Sequence, residues 1–216
     1  MLEGQRTNEV VQSENFTATY WTYQQIDDTN NAALSPDGEN NGTKIVANTT
    51  NITHWFERKT WSGAASTTYT YSCFVKSAGS DYVQIATSTG FSASYQNFNL
   101  SNGTLASGDL SSYGYSANIE DYGNGWYRVS VTATSNTSGD VRFLLVPILT
   151  DTTRNPNFTG NGTDGVYTWG HQLEQGSYST SYIPTNGTAV TRLGETCNNA
   201  TQSFPSEGVL YAEIAA

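Results

Sequence analysis

The stretch Tyr69-Thr-Tyr-Ser-Cys-Phe-Val-Lys76 decides the fold class. Tyr69, Tyr71, Cys73 and Val75 fall on one side of an extended chain, and Phe74 falls on the other. A period of two, carried by aromatic and β-branched residues, marks a strand with one face in a core. The same alternation recurs in Tyr82 to Ala86, Ser92 to Leu100, Trp126 to Thr132, Val141 to Ile148 and Val166 to Glu174. Two further strands are expected over Thr43 to Ala47 and Thr53 to Thr60. Strand starts roughly 10 to 15 residues apart suit a sandwich better than alternating helices. The expected fold is all-β, an antiparallel β-sandwich of jelly-roll type.

Turn chemistry agrees. Asn-Gly steps stand at Asn41-Gly42, Asn102-Gly103, Asn124-Gly125, Asn161-Gly162 and Asn186-Gly187, and such steps accept the positive φ of tight hairpins. Phe98 to Leu105 therefore reads as one hairpin, and Ile119 to Trp126 leads into the next strand as another.

Charged residues make up 13% of the chain, against roughly 25% in ordinary soluble domains. Asn, Ser and Thr must supply the polar surface, as on exposed β-rich proteins. The formal charge of −10 and the scattering of only nine basic residues argue against nucleic acid, which rewards clustered Lys and Arg, and against anionic membranes. No apolar run reaches the roughly 18 residues of a spanning helix. Met1 to Arg6 lacks the apolar core of a signal peptide. Cys73 reads as a small buried hydrophobe and Cys197 as a residue of a polar segment; two separated thiols suggest neither a disulfide framework nor a metal site.

The strand-rich region closes at Tyr182 to Thr188. A sandwich domain is expected over residues 1–192, a polar linker over 193–207, and the first strand of a following β domain over 208–216, so the chain is expected to be a piece of a longer protein.

Four ordered segments carry a resemblance. They are Leu2 to Asn8 with Ser13-Glu-Asn-Phe16 and Trp21; Gly123-Asn-Gly-Trp-Tyr-Arg128; Trp169 to Gly176; and Ser181-Tyr-Ile-Pro-Thr185 with Thr191-Arg192. Together they resemble the carbohydrate-binding-module-like jelly roll of bacteriophage tail fibres, head fibres and spikes. The segment from Gly208 is similar to the opening strand of the concanavalin-like (laminin-G-like) domain that follows in such proteins. The resemblance implies a virion protein exposed outside the cell, a homotrimer contacting other virion proteins, that either binds host-surface glycans or spaces and trimerises an appendage. The alternative is a carbohydrate-binding module of a secreted polysaccharide-degrading enzyme. The chain departs from the pattern at Asn40-Asn41-Gly42, an insertion, and at His171, where a small residue is usual.

Sugar binding would fall to aromatic side chains, because a pyranose ring stacks its apolar face on Trp or Tyr. Trp55 and Trp61 point the same way if one strand runs straight through both, and Tyr20, Trp21 and Tyr23 form a second cluster; Trp55, Trp61, Tyr20 and Tyr23 are the ligand candidates. Trp126 and Trp169, inside the recurrent motifs, are expected in the core. Asp37 to Gly42 partly follows a calcium-binding loop but has Glu39 where Asp or Asn is usual and Asn48 in place of the bidentate Glu, so it reads as a turn. The resemblance implies instead a structural calcium near the first and last strands, with Glu3, Glu14 and Glu174 as its candidates. No signature singles out a carboxylate pair of glycosidase type, and His54 and His171 have no nucleophile or metal motif around them. No catalytic activity is expected. Eleven Asn-x-Ser/Thr sequons, Asn15, Asn41, Asn48, Asn51 and Asn102 among them, read as chance in a chain so rich in Asn and Thr.

Overall fold

The computed structural model describes residues 2–17, 19–58 and 61–195. The expected linker beyond 195 and strand over 208–216 lie outside the described residues, as does Cys197.

The strands run in chain order as β1 (Arg6–Asn8), β2 (Trp21–Gln24), β3 (Ile26–Ala33), β4 (Gly42–Ala47), β5 (Trp55–Arg58), β6 (Ser62–Gly63), β7 (Thr68–Ala78) and β8 (Tyr82–Thr87). They continue as β9 (Ser94–Asn99), β10 (Thr104–Gly108), β11 (Ser116–Asp121), β12 (Trp126–Thr134), β13 (Gly139–Asp140), β14 (Phe143–Ile148), β15 (Gly165–Gln175) and β16 (Val190–Arg192). Two six-stranded sheets form the sandwich, in the orders β10-β9-β8-β14-β5-β2 and β11-β12-β7-β15-β4-β3. Every pairing within them is antiparallel, which bears out the fold class. Two small ribbons, β1 with β16 and β6 with β13, complete the pairing.

Alternation sorts the side chains as the pleat demands. Tyr69, Tyr71, Cys73 and Val75 of β7 meet Val129 and Val131 of β12 and, from the other sheet, Val83, Ile85, Phe98 and Leu145 in one apolar core. Phe74 points away. With Trp126 and Trp169 it builds a separate cluster on the outer side of the second sheet. Those two tryptophans are buried as expected, at 3% and 4% exposure, but not between the sheets. Trp126 and Phe74 belong to β12 and β7, Trp169 to β15, so one aromatic stripe crosses three adjacent strands.

The strand β15 carries the irregularity that matters most. Trp169 pairs with Phe74 and Gln172 with Ser72, so Gly170 and His171 together oppose Cys73 alone. Gly170 takes φ +61 to make this bulge, a conformation glycine adopts without strain. The bulge turns His171 inward, where it is fully buried. A second register shift, in β3 between Thr29 and Ala33, contains Asn31 at φ 55. It lifts the Asn30-Asn31 step out of the ladder at one end of the sandwich.

Candidate functional site

The four aromatic candidates do not make a common platform. Trp55, in β5, packs in the outer cluster and Trp61 in the inter-sheet core, so the expectation that they share a side fails. Trp61 lies in the inter-sheet core at 8% exposure, edge-on to Tyr69 at 4.4 Å. Trp55 sits on the outer side of the first sheet, half-buried against Ala86, Leu144, Val146 and Ile148. Tyr20 and Tyr23 are half-buried and pack against the core. The Tyr20 hydroxyl accepts from Val11 N at 3.4 Å and the Tyr23 hydroxyl donates to Phe16 O at 2.6 Å.

The outer side of the first sheet is roofed by residues 151–158. Gln84 and Asn97 are buried there, and buried amides must find partners. Gln84 Nε2 donates to Thr153 O at 3.1 Å, and Asn97 Nδ2 donates to Thr152 O at 2.6 Å and to Asp151 Oδ1 at 2.8 Å. Asn155 N donates back to Gln84 Oε1 at 2.7 Å. The segment ends on Phe158, whose ring packs on His54 at 4.6 Å and whose carbonyl lies 3.0 Å from His54 Nε2.

Glu3, Glu14 and Glu174 are each engaged by one of three successive residues, Ser181, Tyr182 and Thr180. Ser181 N donates to Glu3 Oε1 at 3.0 Å, and Arg192 pairs with Glu3 at 2.6 Å. Burial pushes the Glu3 carboxyl up, but the Ser181 bonds and the Arg192 charge outweigh it and hold it below the usual range. Glu174 is buried and accepts from Thr180 N at 2.9 Å and from its hydroxyl. Glu14 accepts from the Tyr182 hydroxyl at 2.8 Å. The three do not converge as a calcium site would require: among the described residues no three His, Cys, Asp or Glu side chains form a group able to hold a metal ion. Spacing along 180–182 keeps the carboxylates apart. The Asp37 segment is the turn expected, with Asp37 Oδ1 accepting from Glu39 N at 2.9 Å and Ser35 Oγ in hydrogen-bond contact with the Asp37 carboxylate and the Asn41 side chain.

A different site emerges beside Glu14. A cleft of about 380 Å³ opens between the segment 14–17, the lifted step of β3, the start of β4 and residues 185–186. Five amides line it: Asn15, Asn30, Asn31, Asn41 and Asn186. Thr17, Thr43 and Thr185 complete the lining, with their hydroxyls donated to Asn15 Oδ1, Asn30 Oδ1 and the Val10 carbonyl. Each wall is tied down. Asn15 Oδ1 accepts from Thr17 N at 3.1 Å, and Asn30 bridges Thr43 Oγ1 at 3.0 Å to Asp28 Oδ2 at 3.1 Å. Asn41 Nδ2 reaches Glu14 Oε2 at 3.4 Å. Beneath, Ser13 N donates to Thr185 Oγ1 at 3.1 Å and Ser13 Oγ lies 2.6 Å from the Tyr182 hydroxyl. Burial raises the Glu14 carboxyl above its ordinary range, and the nearby Asp37 charge adds to this, against the lowering effect of the Tyr182 bond.

The volume falls in the lower part of the roughly 300–1,000 Å³ range of ligand pockets. Each carboxamide offers two donors and an acceptor, so the cleft is equipped to hydrogen-bond a polyhydroxylated ligand. Sequence reading passed these residues over because Asn in turns is ordinary. A density of Asn at 30–31 and 40–41 was the only available signal, and residues 14–17 and 185–186 join it only through tertiary contact.

No protein-family model matches this chain, and no curated protein matches it in sequence. The resemblance to bacteriophage fibre domains therefore rests on its four motifs. Among solved structures, the chain is similar to the CBM22-1–GH10 modules of the Clostridium thermocellum endo-1,4-β-D-xylanase 10B complexed with xylohexaose, at 12% identity and a TM-score of 0.42 over 80% of this chain and 29% of that one. It is also similar to the C-terminal CBM6 of LamC, a marine laminarinase from Zobellia galactanivorans, at 11% identity and a TM-score of 0.39 over 80% of this chain and 100% of that one.

Proposed function

We propose that this chain is a non-catalytic carbohydrate-binding module of an extracellular protein. The amide-lined cleft carries this reading. Five Asn side chains are gathered from four separated segments around the Glu14 carboxylate, a composition matched to the donor and acceptor pattern of sugar hydroxyls. Two settings are open to such a module. One is attachment to a polysaccharide-degrading enzyme. The other is a virion appendage, trimeric and bound to host-surface glycans, which the four ordered motifs support.

A glycan array and calorimetric titration test the reading. The 216-residue chain is expected to bind at least one glycan class, and Asn41→Ala is expected to weaken that binding about tenfold while the far-ultraviolet spectrum is unchanged. An array blank across all classes overturns it. Sedimentation of the chain separates the settings, a trimer favouring the appendage and a monomer the enzyme-linked module.

A further inference from the structure

We infer that the cleft receives the terminal unit of an uncharged glycan, gripped by side-chain amides, and rejects acidic sugars. This rests on the carbohydrate reading above and narrows it to one ligand class.

Stacking is not available in the cleft. Phe16 is the one aromatic among the described residues of the lining, and its ring is buried at 2% exposure among Trp21, Phe56 and His171, at centroid distances of 5.5, 5.6 and 5.0 Å. Recognition must therefore run through hydrogen bonds. Two amides have their full capacity to spare: the side chains of Asn31 and Asn186 are exposed and make no hydrogen bond among the described residues. Asn15 uses its oxygen on Thr17 and keeps its two N–H donors.

Charge sets the preference. Among the described residues no Lys, Arg or His lines the cleft, and Glu14 is its one ionisable group. Asp28 Oδ2 accepts from Asn30 Nδ2 at 3.1 Å and Asp37 Oδ2 from Asn41 Nδ2 at 3.4 Å. A uronate or sialate carboxylate seated here would meet the Glu14 carboxylate, with Asp28 and Asp37 bonded to the lining amides and no cation among the described lining residues, and like charges brought together without compensation discriminate between ligands. A neutral sugar meets no such penalty, and Glu14 can accept from its hydroxyls. Size sets the mode, because a volume of about 380 Å³ suits the end of a chain better than a long internal stretch.

The test titrates the 216-residue chain with oligosaccharides of glucose, galactose, mannose, xylose and N-acetylglucosamine, and with oligogalacturonate and sialyllactose. One neutral series is expected to bind at least tenfold more tightly than either acidic probe, with little gain on lengthening beyond the first units. Asn186→Ala should weaken that binding about tenfold, and Glu14→Gln should narrow the gap to the acidic probes. Preferred binding of an acidic probe overturns the inference and leaves the carbohydrate reading standing. So does an affinity that climbs steadily with chain length, or an Asn186→Ala variant that binds as well as the parent. Silence from every probe overturns both.

Discussion

The Tyr71 hydroxyl lies 2.6 Å from His171 Nδ1 in the centre of the sandwich. Thr168 Oγ1 occupies the other side of the ring, 2.8 Å from Nε2. With both nitrogens partnered by hydroxyls that either donate or accept, the imidazole is satisfied in its neutral form. Phe16, Trp21 and Phe56 enclose it at centroid distances of 5.0 to 5.3 Å. The β15 bulge is what delivers this ring to a core that would otherwise have received a small residue.

Burial pushes the His171 imidazole down to about 3 from 6.5. The folded state therefore declines a proton that the unfolded chain accepts, so the His171 contribution costs stability progressively as pH falls from about 6.5 toward 3. The slope is about 1.4 kcal/mol per pH unit for one such proton. Urea unfolding of the parent and of His171→Gln across this window should show a shallower pH dependence in the variant. Parallel curves would show that the proton uptake belongs elsewhere.

The tryptophans Trp61 and Trp55 should separate cleanly. Trp61→Ala empties a site in the inter-sheet core and is expected to cost about 3–5 kcal/mol. Trp55→Ala removes a half-buried ring from the outer cluster and should cost less. Since neither lines the amide cleft, glycan affinity of the folded protein should stay unchanged in both. Loss of binding in a fully folded Trp55→Ala would relocate the site to the roofed face of the first sheet.

Gly170→Ala tests the bulge. The position has φ +61, and an added Cβ would sit 2.9 Å from Phe74 Cδ2. Left-handed backbone alone costs about 1–3 kcal/mol for such a residue, and the Phe74 contact adds to it. A denaturation midpoint equal to that of the parent would mean that the bulge relocates without penalty.

Cys73 should be chemically silent. Its thiol is fully buried, and burial pushes it up to about 12, so the reactive thiolate is scarce. In a Cys197→Ala background, Ellman's reagent should leave Cys73 unlabelled in the native protein and label it fully in denaturant. Rapid labelling under native conditions would contradict its place in the core.

Much of the fold was legible because the pleat writes itself into the chain. Tyr69, Tyr71, Cys73 and Val75 had to share a face whatever they packed against, and the hairpins at Asn102-Gly103 and Asn124-Gly125 appear where the turn residues stand. The strands β1, β6, β13 and β16 were not legible, since two or three residues carry no period, and neither were β2 and β3, where the polar run Asp27 to Asn31 shows no apolar alternation. The site was less legible still. Trp61 and Trp55 look alike in sequence, and only tertiary packing separates them into different layers.

By itself, then, the amino-acid sequence determined an antiparallel all-β sandwich, its main strands, and a polar surface built from Asn, Ser and Thr, because side-chain alternation and turn preference act over a few residues. Tertiary structure alone decided that Glu3, Glu14 and Glu174 go separate ways along 180–182, that His171 enters the core, and that five asparagines meet in one cleft. Those outcomes depend on pairings between residues far apart in the chain, such as Ser13 with Thr185 and Asn30 with Thr43, which no local pattern encodes.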